Sequence, residues 1–152
     1  MAIRPSVRAV LLDGLRGRER LVLFRRTVPG RPLYWSAPGG HVEPEDGSLE
    51  AALHREMLEE LGATVGSVTL LTTLTCRRPY GVQTQYVYGC RLLTLDPSLR
   101  CGPEFDDPAR GVYEVVRIPL AAEEIRSLNL VPAELGDYLV TAASRLPRLI
   151  PA

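Results

Sequence analysis

Between Gly39 and Ala63 the chain reads GGHVEPEDGSLEAALHREMLEELGA, and this stretch constrains the fold more than any other. Seven acidic residues fall within these 25, and four of them (Glu50, Glu56, Glu59 and Glu60) lie in a segment of helical periodicity beside a single arginine, Arg55. Ser48 offers an N-cap, Glu50 suits the positive end of a helix dipole, and Gly62 supplies a stop, which together predict a helix. At about 100° per residue, with Glu56 at zero, Glu59 falls near 300° and Glu60 near 40°. The three carboxylates therefore share an arc of about 100°. Leu53, Met57, Leu61 and Leu58 span about 60–200° and are the expected buried stripe.

Glu56 and Glu60 are a like-charged i,i+4 pair, which is mildly unfavourable on an isolated helix. Arg55 can pair with Glu59, but one cation does not neutralise three anions. The glycine turn just ahead, PGGHVE, lets main-chain carbonyls approach a ligand closely. Hard divalent cations take oxygen ligands, and Mg²⁺ in particular binds carboxylates together with substrate phosphates. A carboxylate cluster beside a glycine turn thus suits a Mg²⁺ platform for a phosphate ester or anhydride; the plain alternative is a solvated helix face.

The remaining composition narrows the partners. Arginine supplies all 18 basic residues, equal in number to the acids, so the formal net charge is +0. There is no global basic field to attract nucleic acid, and no stable nucleic-acid complex is expected. Cys76, Cys90 and Cys101 show neither CxxC spacing nor an even count, which points to reduced structural cysteines. No apolar run is long enough for a membrane span or a signal-peptide core. The expectation is one soluble cytoplasmic domain, residues 1–152, monomeric or homodimeric.

Around the helix, Ser6 to Asp13 and Leu21 to Thr27 read as a strand hairpin, VPGRPLYW as a loop, and APGGHVE as a short strand holding the glycine turn. Two more strands, 68–75 and 84–94, flank an expected loop CRRPYGVQ. Residues 95–110 form a long polar loop, of a length that is unusual unless functional. GVYEVVRIPL is a strand, AAEEIRSL a short helix, and PAELGDYLVTAASRL a final amphipathic helix. This order gives an α/β (α+β) fold, a mixed sheet flanked by helices on both sides.

At this point the residues resemble a known family. Gly40 followed by Arg55-Glu56-Met57-Leu58-Glu59-Glu60-Leu61-Gly62 is similar to the Nudix box, G-x5-E-x7-R-E-U-x-E-E-x-G-U, where U is a bulky aliphatic residue. The second half matches without a gap. In the first half Asp46 stands where the pattern has glutamate, one extra residue precedes Arg55, and Ala63 replaces the final aliphatic. The insertion leaves the helical register intact but puts a role for Asp46 in doubt.

The resemblance implies a Nudix-like α/β/α sandwich and a pyrophosphohydrolase using Mg²⁺ or Mn²⁺. Glu56, Glu59 and Glu60 would hold the metal with the carbonyl of Gly39 or Gly40, and Arg55 would orient a glutamate. The general base would be Glu56 or a carboxylate outside the box, with Glu104, Asp106 and Asp107 as candidates. The substrate would be a small nucleotide: a nucleoside triphosphate, ADP-ribose or a dinucleoside polyphosphate. Two subfamily cues, a proline and a tyrosine past the box, fall side by side at Pro79 and Tyr80 and point in different directions. Tyr34, Trp35, Arg77, Arg78 and Tyr80 are the candidate substrate contacts; stacking or core packing is open for Tyr34 and Trp35. A catalytically silent nucleotide-binding or regulatory module is the alternative. A cysteine-using isopentenyl-diphosphate isomerase, which shares the fold, is disfavoured because no cysteine here has a distinctive context.

Overall fold

Strand β1 (Ser6–Asp13) organises the sheet because both of its edges are used. The computed structural model describes residues 3–152. Along one edge β1 runs parallel to β6 (Gly81–Leu95), from Ser6 opposite Gln85 to Leu12 opposite Arg91. Its other edge is shared. Leu11–Asp13 pair antiparallel with β2 (Arg20–Thr27), whereas Ser6, Val7 and Arg8 pair antiparallel with β4 (Gly39–His41). β2 carries β3 (Tyr34–Ser36) and β7 (Val112–Pro119), and β6 carries the outer strand β5 (Ala63–Arg78). Among the described residues this is one mixed sheet of seven strands.

The alternation of β1 divides the interior in two. Val7, Ala9 and Leu11 face helix α1 (Leu49–Leu61) in a core that includes Leu53, Met57 and Cys90. Val10 and Leu12 face the opposite side, where Leu135, Leu139 and Leu146 pack from the C-terminal helices. Those helices are α2 (Ala122–Arg126), α3 (Ala133–Ala142) and α4 (Leu146–Leu149). Helices thus cover both faces of the sheet, as the order of elements predicted. Among the described residues no helix is long and apolar enough to cross a membrane.

Helix α1 has the ends its sequence predicts. Ser48 Oγ accepts from the Ala51 amide at 3.0 Å. Gly62 takes the left-handed conformation at φ 65° and returns its amide to the Leu58 carbonyl at 2.8 Å. Its buried arc is turned, however. Ala52, Leu53, Glu56, Met57, Glu60 and Leu61 are buried, while Leu58 is 45% exposed. The helix leans its carboxylate edge against β4, so Glu56 and Glu60 are not on a solvated face.

Three other expectations are corrected. The segment CRRPYGVQ is no open loop: β5 and β6 continue to a tight turn, with Arg78 opposite Gly81. The expected final helix is split: α3 ends at Ala142 and the short helix α4 follows at Leu146–Leu149. Within VPGRPLYW, Tyr34 and Trp35 are strand residues, pairing with Arg26 and Arg25.

Candidate functional site

Where β2 and β4 part along the edge of β1, a cleft of about 710 Å³ opens. The edge of α1 forms one wall. Gly40 lies so close to that edge that a Cβ there would displace the Glu56 carboxylate, whereas a Cβ at Gly39 would strike the Val7 carbonyl of β1. The Gly39 amide donates to Glu60 Oε1 at 2.6 Å. Burial pushes the Glu60 carboxyl up to about 8, against the pull of the Gly39 amide and of Arg8, with Glu56 and Glu104 adding to the rise. Burial also raises Glu56, against the pull of Arg55.

Arg55 braces the site. Its Nε and Nη2 grip the two oxygens of Asp46 at 2.6 and 2.8 Å, in the paired geometry guanidinium favours. Nη1 donates to Glu56 at 3.0 Å and to Glu59 at 3.2 Å, and Nη2 also reaches the His41 carbonyl at 3.0 Å. The Arg55 guanidinium holds Asp46 down at about 2, and Asp46 in turn raises the arginine's affinity for its proton. Asp46 ends the 3₁₀ turn Pro44–Asp46, where it also accepts from the Glu43 amide at 2.8 Å. Asp46 thus sits where it holds the Arg55 guanidinium.

The loop at 95–110 closes over the end of α1. The Cys101 amide donates to the Glu59 carbonyl at 3.0 Å. Arg100 stacks over Phe105 at 4.1 Å and donates to the Tyr113 carbonyl at 3.1 Å. Of the three loop carboxylates, Glu104 lines the cleft; Asp107 instead accepts from the Ala109 amide and pairs with Arg110. Asp106 does not line the cleft.

The sequence-predicted contacts divide by strand alternation. Tyr34, Arg78 and Tyr80 line the cleft with Arg55, Glu56, Glu59, Glu60 and Gly40. Trp35 does not: it packs against the core on the α3 side, and its backbone exchanges bonds with Asn129 and Val131. Arg77 points away and is exposed. The cleft also contains residues that no motif marks. Arg26 is buried, donates to the Tyr34 hydroxyl at 2.8 Å and lies 3.5 Å from the Tyr113 ring centre. Ser6, Arg8, Gln83 and Gln85 floor its other end.

The donors suit a hard divalent cation by type: three carboxylates on one helix edge and the carbonyls of a glycine turn. Two of these acids, Glu56 and Glu60, are buried with raised proton affinity, and Arg55 pairs with Glu56 and Glu59 but not with Glu60. Among the described residues, no three acidic, histidine or cysteine side chains already converge as a ligand cluster. Glu60 is engaged by Gly39, and Glu59 by Arg55.

Comparison with known proteins agrees with this geometry. The family model for the NUDIX domain matches residues 2–132. No curated protein matches. Among solved structures, the NUDIX domain of Shewanella oneidensis NrtR complexed with ADP ribose superposes with TM-score 0.71 at 20% identity, covering 96% of this chain and 90% of that one. A C. elegans Ap4A hydrolase gives TM-score 0.65 at 20% identity, covering 93% and 96%. NrtR complexed with a 27mer DNA gives TM-score 0.65 at 21% identity, covering 95% of this chain and 62% of that one. At such identities these likenesses concern the fold. With a family model spanning most of its length and the box residues gathered at one cleft, the chain is a member of the Nudix hydrolase family.

Proposed function

We propose that this chain is a divalent-metal-dependent pyrophosphohydrolase that cleaves the diphosphate linkage of a small nucleotide: a nucleoside triphosphate, ADP-ribose or a dinucleoside polyphosphate. One observation carries the reading. Glu56, Glu59 and Glu60 line a single cleft beside the Gly39–Gly40 turn, the first two braced by Arg55 and Glu60 held by the Gly39 amide. We further take residues 1–152 as one domain acting in the cytoplasm.

Glu56, Glu59 and Glu60 would hold Mg²⁺ or Mn²⁺, with the carbonyl of Gly39 or Gly40. Bound there, the cation supplies neutralisation of the diphosphate and activation of water. The chain's residues do the rest. Glu56, whose burial raises its proton affinity, is suited to take the proton from the attacking water; Glu104 is the second candidate for that base. Water adds to phosphorus, the bridging P–O bond breaks, and the leaving phosphate departs with its electron pair. Asp46 and Arg55 act by position, fixing Glu56 and Glu59.

The second reading, a silent nucleotide-binding or regulatory module, draws on the likeness to the DNA-bound NrtR. Retention of all three helix carboxylates, with Arg55 bracing Glu56 and Glu59, favours the hydrolase. A hydrolysis screen with Mg²⁺ and Mn²⁺ over dNTPs, ADP-ribose, dinucleoside polyphosphates, NADH, nucleotide sugars and capped RNA separates the two. Metal-dependent turnover of a nucleotide supports the enzyme; nucleotide binding without turnover of any of them supports the module.

A further inference from the structure

The two ends of the cleft differ in chemistry. Opposite the carboxylates lie Ser6 and Arg8 of β1 and Gln83 and Gln85 of β6, brought side by side because Ser6 stands opposite Gln85 across the parallel strands. By strand alternation these positions share the sheet face on which Val10, Leu12 and Val87 are core residues. A polar strip thus interrupts an apolar pattern. Ser6 and Gln85 are each only 1% exposed and Gln83 is buried, so their hydrogen bonds must be accounted for one at a time.

Gln83 Nε2 donates to Ser6 Oγ at 2.9 Å and to the Arg4 carbonyl at 3.3 Å. A carbonyl only accepts, so the Gln83 amide cannot be turned round. Its oxygen then accepts from Gln85 Nε2 at 3.1 Å, which fixes the second amide as well. Gln85 Oε1 is left buried without a partner, and so is Arg8 Nε, although Arg8 also donates to the Ala37 carbonyl at 3.2 Å. One lone acceptor and one lone donor therefore belong to the same cleft wall.

The signs of these two atoms select a ligand. A phosphate only accepts, so it pairs with Arg8 and leaves Gln85 unsatisfied; an apolar group pairs with neither. The edge of a nucleobase carries an N–H beside a carbonyl or ring nitrogen, and pairs with both. We propose that Gln85 and Arg8 form a subsite for the hydrogen-bonding edge of the substrate's nucleobase, resting on the reading that the diphosphate lies at the carboxylate end. Arg8 links the two ends, since its charge also acts on Glu60. Both atoms lie back in the wall, and a small movement toward the lumen, which the soft terminal torsion of glutamine allows, would bring the acceptor to the ligand.

The test uses α,β-methylene analogues of ADP and UDP, whose bridge resists hydrolysis, alongside methylenebisphosphonate, titrated calorimetrically with and without Mg²⁺. At least one base-bearing analogue is expected to bind tenfold or more tightly than methylenebisphosphonate. Gln85→Met should shrink that margin by about tenfold, the order expected for one buried hydrogen bond, and leave methylenebisphosphonate binding unchanged. N6,N6-dimethyladenine and N3-methyluracil versions, which lack the N–H, should shrink it equally on the unaltered protein, whatever Gln85→Met does to folding. No margin, or a margin that survives N-methylation, would overturn the subsite. Failure of methylenebisphosphonate to bind with Mg²⁺, while base-bearing analogues still bind in an N–H-dependent way, would overturn the diphosphate reading and keep the base subsite.

Discussion

The carboxylate wall and the amide floor of this cleft are built in opposite ways. The first comes almost wholly from residues 39–60, a short run in which a glycine turn, a 3₁₀ turn and a helix fold onto one another. Its charges are cross-linked: Arg55 alone bonds Asp46, Glu56, Glu59 and the His41 carbonyl. The floor joins strands far apart in sequence, as in the Gln83–Ser6 bond across 77 positions, and it retains unpaired atoms. The contrast teaches that the charged wall is prearranged by its own braces, whereas the floor keeps hydrogen-bonding capacity in reserve. If so, substitutions in the wall should act on turnover and those in the floor on affinity.

The largest effect is expected at the wall. Glu56→Gln and Glu60→Gln keep the side-chain shape but remove charge, and kcat should fall about 10²–10³-fold with little change in KM. Wild-type turnover in both would break the comparison at once. Asp46→Ala should come next, at about 10–100-fold, because it frees Arg55 from its tightest contacts while touching no substrate. Asp46→Glu should recover part of the loss, and a loss in KM alone would show that the brace matters less than the geometry implies.

A pH experiment separates the wall's own electrostatics from catalysis. In the folded protein Glu60 titrates at about 8 against an ordinary 4.5, and Glu56 is raised in the same direction. The folded state then holds these protons more tightly than the unfolded chain does. The stability they contribute is complete below about 4.5 and is lost as pH rises through about 8. Asp46, held at about 2, contributes in the opposite sense and has done so fully by pH 5. With EDTA present, Tm should therefore decline between pH 5 and 8.5, and Glu60→Gln should flatten the decline. Mg²⁺ should raise Tm more at pH 8.5 than at pH 5.5, since ionised carboxylates bind it better. A Tm that climbs with pH without metal would contradict the burial of Glu60.

Smallest of all is the hairpin tip. Tyr80 is 71% exposed at the cleft rim, so Tyr80→Ala should change KM by only a few-fold. Arg77→Ala should leave kinetics unchanged, because Arg77 points away from the cleft. A large effect of Arg77→Ala on KM would move the substrate onto the outer face of the hairpin.

How much of this was legible in the sequence follows the same contrast. The wall could be read because helical spacing and capping act within a few residues; Ser48, Gly62 and the register of Glu56, Glu59 and Glu60 all behave as the spacing predicts. The Asp46–Arg55 pair is hidden from residue counting because it depends on how the backbone bends between the 3₁₀ turn and the helix. The helical wheel puts Leu58 in the core because it shows which residues share a face, not how far the helix rolls toward its neighbour. Tyr34 and Trp35 look alike in sequence, but strand alternation sends them to different sides because β3 pairs with β2. The amide floor left no local signature, because Ser6 and Gln85 meet only through the parallel pairing of β1 and β6.

The claim that the wall is a metal site can be tested directly by titrating Mn²⁺ into ¹⁵N-labelled protein and following paramagnetic broadening of its amide signals. Gly39, Gly40 and residues 56–60 should broaden first, and Glu60→Gln should require a much higher Mn²⁺ concentration for the same broadening. Broadening that begins elsewhere, or that is unchanged in Glu60→Gln, would contradict a metal site at this edge of α1.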